Sequence, residues 1–115
     1  MKRIYVAGKL NDMTCDYVQN LHRMIVLANS AREAGFAVFV PGLDILQGIV
    51  AGSWTYRQYF DNSSAWLQVA DAVLVVEEGW RTSNGTKREM ETANHHNIPV
   101  FFSLKDMIKH FEDKK

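Results

Sequence analysis

With 115 residues and 47% apolar side chains, the chain has room for one compact domain, residues 1–115, and is too short for two. Its thirteen basic and thirteen acidic side chains cancel, which argues against nucleic acid as a partner and favours a small ligand. The single cysteine, Cys15, excludes an intramolecular disulfide and suits a reducing compartment, so we expect a cytoplasmic protein. Because no apolar run reaches the length of a membrane span, we expect no membrane partner.

Short apolar runs alternate with segments whose apolar residues recur at three and four, so strands alternate with helices. In chain order we predict a strand at 2–7, a helix at 15–34, a strand at 37–40, a functional loop with room for a helical turn at 43–52, an aromatic-rich helix at 53–70, a strand at 72–76, a helix at 85–97, a strand at 98–102 and a helix at 104–111.

This order predicts an α/β fold with right-handed crossovers between parallel strands. We expect a single Rossmann/flavodoxin-like three-layer domain with a parallel sheet of four or five strands. The loops after the first and third strands, residues 8–14 and 77–85, end at the same edge of such a sheet and face each other across one crevice.

The third strand enters the third helix through a turn of the kind that α/β proteins use to bind phosphate. The turn offers hydroxyls, backbone amides and a glycine that permits close approach, at Ser83, Asn84, Gly85 and Thr86. Cations at this helix N-terminus oppose the helix dipole and so suggest an anion between them, and they are Arg81, Lys87 and Arg88. The same turn also suits ordinary N-capping, and both interpretations stay open.

Two carboxylates are candidates for catalysis. Glu89 shares a helix face with Ala93. Burying a glutamate on a packed face costs free energy unless the carboxyl group has hydrogen-bond partners or a catalytic role. The equal alternative is a surface glutamate that pairs with a neighbouring lysine or arginine. Asp61 lies on the aromatic helix and could supply the second carboxylate that glycosyl chemistry uses. The sequence thus offers a pair of acids near the strand ends.

Two aromatic residues have a structural and a functional interpretation each. Trp80, beside the phosphate turn, either stacks on a base or packs in the protein. Tyr5 is either a core residue of the first strand or a hydroxyl at the floor of the crevice.

The sequence predicts no metal and no cofactor. His95 and His96 are adjacent on a helix and about 100° apart, so they do not readily share a metal. Neither a Gly-x-Gly-x-x-Gly nor a Walker pattern is present, which argues against dinucleotide cofactors and ATP hydrolysis.

Three segments in order resemble the nucleoside 2-deoxyribosyltransferase superfamily over residues 2–102. They are IYVAG from Ile4 to Gly8, AWLQVAD from Ala65 to Asp71, and the spacing of Ser83, Gly85, Glu89 and Ala93. The resemblance is closest to the deoxynucleoside 5′-monophosphate N-glycosidase branch and its small phage and bacterial relatives.

This resemblance implies that Glu89 is the nucleophile on C1′ of the sugar and that Ser83 helps to bind a 5′-phosphate. It also implies a homodimer or a larger homo-oligomer, because a neighbouring subunit completes the site in such proteins. A glutamate near a helix N-terminus should be favoured as the carboxylate that a nucleophile requires.

The chain departs from the pattern of the superfamily at two places. Ser63 stands where relatives usually carry an aspartate, and Asp61, two residues earlier, lies about 200° away around a regular helix. After Gly8, the chain has Lys9, for a phosphate, or Asp12, for a sugar hydroxyl, instead of the usual serine and arginine.

We therefore expect a hydrolase or transferase that acts on the N-glycosidic bond of a nucleoside or nucleoside 5′-monophosphate. Two alternatives are a nonenzymatic nucleotide-binding module and an oligomer-forming structural protein of the same fold. The serine at position 63 favours the binding module over the enzyme.

Overall fold

A computed structural model describes residues 1–10 and 14–113, with the side chains of 14–16 left out. The strands are β1 (Arg3–Ala7), β2 (Ala37–Phe39), β3 (Ala72–Val75) and β4 (Val100–Phe101). The helices are α1 (Thr14–Glu33), α2 (Ile45–Ala51), α3 (Tyr56–Leu67), α4 (Asn84–His95) and α5 (Leu104–Glu112), and two short 3-10 helices cover Pro41–Asp44 and Trp80–Thr82.

The described strands form one sheet in the order β2-β1-β3-β4, and every neighbouring pair is parallel. Tyr5 of β1 is opposite Phe39 on one side and Val73 on the other. A central β1 flanked by the strands that follow it is the Rossmann/flavodoxin-like arrangement. The predicted fold class is confirmed, with four strands in the part of the chain that the structure describes.

The two sides of the sheet carry two separate cores because successive strand residues point to opposite faces. Ile4 and Val6 of β1 pack in the layer formed by α1 and α5. Tyr5 and Ala7 pack on the other face, with Leu67 of α3 and Ala93 of α4. This alternation places the side chain of Tyr5 beneath the two helices that carry the candidate catalytic residues.

The segment 43–52 differs most from its predicted form, a loop with one helical turn. Pro41 begins a 3-10 helix, for which its fixed φ is well suited, and α2 continues from it to Ala51. Gly52, with φ of 76°, ends α2 in the left-handed conformation that glycine adopts most easily. The chain after β2 is therefore mostly helical and packs beside α3.

Helix α3 begins three residues later than predicted, at a capping box. The Thr55 hydroxyl accepts a hydrogen bond from the Gln58 amide, and the Gln58 side chain accepts one from the Thr55 amide. This cap fixes the helical phase of every later residue of α3. None of the helices in residues 1–10 and 14–113 is both long and apolar enough to cross a membrane.

Candidate functional site

A cavity of about 250 Å³ lies at the carboxyl ends of the parallel strands, where the sequence predicts the crevice. Its volume is just under the roughly 300 Å³ at which typical ligand pockets begin, so it suits a small ligand. Four aromatic rings contribute to the wall: Tyr17, Tyr56, Tyr59 and Phe60. Five serines and threonines contribute too: Ser63, Ser64, Ser83, Thr86 and Thr92.

Glu89 reaches this cavity from the second turn of α4. Its Oε2 accepts a hydrogen bond from the Tyr5 hydroxyl, and Tyr5 is only 1% exposed. Tyr5 is thus both a core residue and a hydroxyl at the floor of the site, which joins its two predicted roles. Ala93, one turn further along α4, is fully buried and lets this helix face approach the sheet.

The carboxyl group of Glu89 is not favoured as a carboxylate in the free protein, contrary to the expectation from the helix dipole. Burial raises the pKa of Glu89 to about 8, while the hydrogen bond from Tyr5 lowers it and the charge of Asp44 raises it further. Desolvation outweighs the dipole because Glu89 lies one and a half turns inside α4, beyond the first turn, in which the dipole acts. At neutral pH the carboxyl group of Glu89 therefore mostly keeps its proton in the free protein.

The turn before α4 is a helix cap that also borders the cavity. The Ser83 hydroxyl accepts hydrogen bonds from the Thr86 amide, at 3.2 Å, and from the Thr86 hydroxyl, at 2.9 Å. Ser83, Gly85 and Thr86 line the cavity, whereas Asn84 is exposed and does not. The same serine thus caps α4 and lines the cavity, so its capping role does not exclude contact with a ligand.

The four cations expected to attract an anion are not among the described residues that line the cavity. Arg81 pairs with Glu77 at 3.4 Å, and Arg88 donates to the Tyr56 hydroxyl at 3.4 Å. Lys87 is exposed, and Lys9 donates to the Thr82 hydroxyl at 3.1 Å. The charge argument for an anion between them is therefore weaker than the sequence indicates.

The structure does not place Asp61, the predicted second carboxylate, at the cavity. Its side chain is 61% exposed and pairs with Arg57, one turn earlier, at 3.2 Å. Because the capping box starts α3 as a regular helix at Tyr56, Asp61 faces solvent while Ser63 faces the cavity. Asp61 and Ser63, two residues apart on a regular helix, therefore point in nearly opposite directions.

The carboxylate that does line the cavity with Glu89 is Asp44, which the sequence analysis missed. It ends the 3-10 helix after β2, and its Oδ2 lies 3.5 Å from the hydroxyl of Ser63. Burial raises the pKa of Asp44, and the hydrogen bond from Ser63 opposes that rise. An acidic residue soon after a predicted strand, at the same sheet edge as Glu89, was the available signal.

Two further predicted binding residues have structural explanations. Gly8 lines the cavity, but a Cβ there would lie 3.0 Å from Met24 Cγ and 3.2 Å from Val76, so close packing is itself a reason for a glycine. Trp80 is not among the described lining residues. Its ring packs against Phe102 at 5.0 Å and beneath the Arg81 guanidinium at 4.7 Å, as its structural interpretation predicts.

Some sequence predictions fall where the structure gives no description. Asp12 and the side chain of Cys15 lie outside the described residues. Within the residues that are described, no group of three or more His, Cys, Asp or Glu side chains is placed to hold a metal ion.

Comparison with known proteins identifies a family model and a solved structure that are similar to this chain. The model of a family described as a domain of unknown function, DUF4406, matches residues 2–102. None of the curated proteins matches the sequence. A crystal structure described as a conserved protein from Enterococcus faecalis V583 is similar, with a TM-score of 0.70 and 18% sequence identity over 87% of this chain. The chain spans 61% of that protein's length, and at this identity the likeness concerns the fold alone.

Proposed function

This chain belongs to the DUF4406 family, and we propose that it is an enzyme that cleaves the N-glycosidic bond of a small nucleoside or nucleoside 5′-monophosphate. The base is released to water or passed to a second base. The observation that carries the proposal is the Glu89 carboxyl group, which lines the cavity of about 250 Å³ and accepts a hydrogen bond from the buried hydroxyl of Tyr5. The resemblance to the nucleoside 2-deoxyribosyltransferase superfamily, at Ser83, Gly85 and Glu89, supports it independently.

The cavity lining matches the two parts of a nucleoside. Aromatic side chains such as Tyr17 and Phe60 offer apolar surface and ring faces to a base, while serine and threonine hydroxyls suit a sugar. Two carboxyl groups in one cavity are what glycosyl transfer uses, one to attack or stabilise C1′ and one to assist the leaving group. A phosphate, if the substrate has one, would lie against Ser83, Gly85 and Thr86 at the start of α4.

Glu89 attacks as a carboxylate, so its proton has to leave before the bond to C1′ forms. Because the pKa of Glu89 is about 8, this proton has to be given up to solvent or to another group when the enzyme works at neutral pH. Positive charge that develops at C1′ stabilises the carboxylate in the transition state, which is where the interaction contributes most to the rate.

The alternative is a nonenzymatic nucleotide-binding module of the same fold. The observation in its favour is the exposed position of Asp61 together with the serine at position 63. Such a module would gain thermal stability with a nucleotide by mass action and would leave the nucleotide intact. Assembly into a homo-oligomer stays a prediction for either function.

A panel of deoxynucleosides, ribonucleosides and their 5′-monophosphates, assayed for free base by chromatography, tests the proposal. We expect base release from at least one of them, and we expect Glu89→Ala to reduce it by about 10³-fold or more. Glu91→Ala, an exposed carboxylate on the same helix, is the matched control and should leave the rate unchanged. Base release that survives Glu89→Ala would exclude Glu89 as the nucleophile, and thermal stabilisation without release would favour the binding module.

A further inference from the structure

Two hydroxyl groups, of Ser63 and Tyr5, lie between the two carboxyl groups of the cavity, Asp44 and Glu89. Asp44 Oδ2 lies 3.5 Å from the Ser63 hydroxyl, and the Tyr5 hydroxyl donates a hydrogen bond to Glu89 Oε2. Ser63 connects the two halves, because hydrogen bonding from its hydroxyl lowers the pKa of Tyr5. Asp44 follows β2 and Glu89 follows β3, so they approach from opposite sides of β1, the strand that carries Tyr5. Four residues from four separate elements thus form one connected path.

The charges around this path favour one proton shared by the pair. Burial raises the pKa of both carboxyl groups, and the charge of Asp44 raises the pKa of Glu89 further. Among the described residues, the other titratable groups that line the cavity or contact the pair are phenols, namely Tyr5 from β1, Tyr17 from α1, and Tyr56 and Tyr59 from α3. Two interacting carboxyl groups in such a place titrate as a unit, with a wide pH range in which one is an acid and the other a carboxylate.

We propose that Asp44 is the second catalytic carboxyl group of the site and that it exchanges a proton with Glu89 through the hydroxyls of Tyr5 and Ser63. The inference rests on the proposed function and assigns the acid that a departing base requires. It also explains how Glu89, protonated in the free protein, becomes the nucleophile.

The exchange conserves protons because each hydroxyl accepts one proton as it gives up another. In the free protein the Tyr5 hydroxyl donates to Glu89, so it first turns toward Ser63, as a hydroxyl can by rotation. Glu89 then passes its proton to the Tyr5 oxygen, the Tyr5 proton moves to Ser63, and the Ser63 proton moves to Asp44. The Glu89 carboxylate then forms a bond to C1′ while the C1′–N bond breaks, its electron pair leaves with the base, and Asp44 protonates a base nitrogen. Water next attacks C1′, the bond to Glu89 breaks, and the proton of the water goes to Asp44, from which it returns to Glu89.

A substrate whose base leaves without a proton separates this role from a structural one. The purine of 7-methyl-2′-deoxyguanosine is cationic and departs as a neutral base. With 2′-deoxyguanosine, we expect Asp44→Asn to lower kcat by about 10²-fold or more, the usual contribution of general acid catalysis. With the methylated nucleoside, we expect a smaller loss, because its base needs no acid and only the proton exchange with Glu89 and the attack of water are affected. Ser63→Ala should show the same contrast with a smaller amplitude, because Asp44 remains.

A displaced carboxyl group provides a rescue experiment. Since Ser63 lies within 3.5 Å of Asp44 and lines the same cavity, the double variant Asp44→Asn/Ser63→Asp returns a carboxyl group to the path. We expect it to regain part of the activity that Asp44→Asn loses. Asp61→Asn makes the same chemical change at an exposed site on α3 and is the matched control.

The pair can also be observed without turnover, by a ¹³C NMR titration of the Glu89 carboxyl group. We expect a lower titration midpoint in Asp44→Asn than in the unmodified protein, because the neighbouring charge is gone, and no change in Asp61→Asn. An unchanged midpoint, or an equal loss of kcat with both nucleosides, would overturn the role of Asp44. Base release that persists in Glu89→Ala would instead overturn the proposed function, so the two failures are distinguishable.

Discussion

Helices α4 and α5 begin in the same way, yet only α4 borders the cavity. Each follows a strand of the parallel sheet, and each has a serine cap whose hydroxyl accepts a hydrogen bond from an amide three residues on. These distances are 3.2 Å for Ser83 and 3.1 Å for Ser103. The cap alone therefore does not make a binding site.

The difference lies six residues after each cap. In α4 this position is Glu89, which turns toward the sheet and meets Tyr5, whereas in α5 it is Lys109, which is exposed. Helix α5 instead buries Met107 completely among the apolar residues of its own face of the sheet. An ionisable side chain on the helix face that packs against the sheet, where an apolar residue is expected, distinguishes α4 from the structural helix α5.

The largest expected effect that separates the two helices is on the pH dependence of folding stability. Between about pH 4.5, the ordinary pKa of a glutamate, and about pH 8, native Glu89 holds a proton that the unfolded chain releases. The free energy of unfolding should therefore fall as pH rises through this range. The fall should be on the order of a few kcal/mol, reduced by solvent in the cavity.

Urea denaturation at pH 5 and pH 8 measures this slope. Glu89→Gln removes the titrating group and should remove most of the slope, leaving the contribution of Asp44, whose raised pKa has the same sign at lower pH. Lys109→Gln, at the equivalent position of α5, should leave the slope intact. Equal slopes in the unmodified protein and Glu89→Gln would mean that Glu89 is not desolvated as the structure indicates.

The fold was predictable because its determinants are local and periodic. Apolar runs ended by Gly8 and by Pro41, with amphipathic segments between them, determine the order of strands and helices. The chain after Pro41 was harder, because α2 is only seven residues long and leaves Leu46, Ile49 and Val50 largely exposed. A helix without a clear buried stripe gives little periodicity to detect.

The candidate site was predictable only where it lies within one segment. Ser83, Gly85, Thr86 and Glu89 belong to one turn and its helix, so their spacing alone places them together. Asp44 meets Ser63 only after β2 and α3 are assembled, a contact between residues nineteen apart in the chain. Asp61 was chosen for its residue type and its position on the aromatic helix, but the regular helix that begins at the Thr55 cap directs it to solvent.

Removal of either serine cap should lower stability, but the two should differ in their effect on binding. Ser83→Ala and Ser103→Ala should each lower the free energy of unfolding by about 1 kcal/mol, because each leaves an amide of the first turn without its acceptor. Ser83→Ala should cost somewhat more, since it also removes the acceptor of the buried Thr86 hydroxyl. Only Ser83→Ala should reduce the thermal stabilisation given by a deoxynucleoside 5′-monophosphate. An equal reduction in both variants would show that the effect comes from stability and not from contact with the ligand.

The smallest expected effect concerns Gly85, in the first turn of α4, where a Cβ would meet no atom within 4 Å. Since the free protein has space for a methyl group, Gly85→Ala should raise the free energy of unfolding by about 0.5 kcal/mol through helix propensity and a less flexible unfolded chain. Because Gly85 lines the cavity, the same methyl group should weaken nucleotide binding. Lys105→Ala, at the same position of α5, is the control for substitution in a first turn and should leave binding unchanged. If Gly85→Ala gains stability and binds as tightly as the unmodified protein, then no ligand approaches the backbone there, and the start of α4 is as purely structural as that of α5.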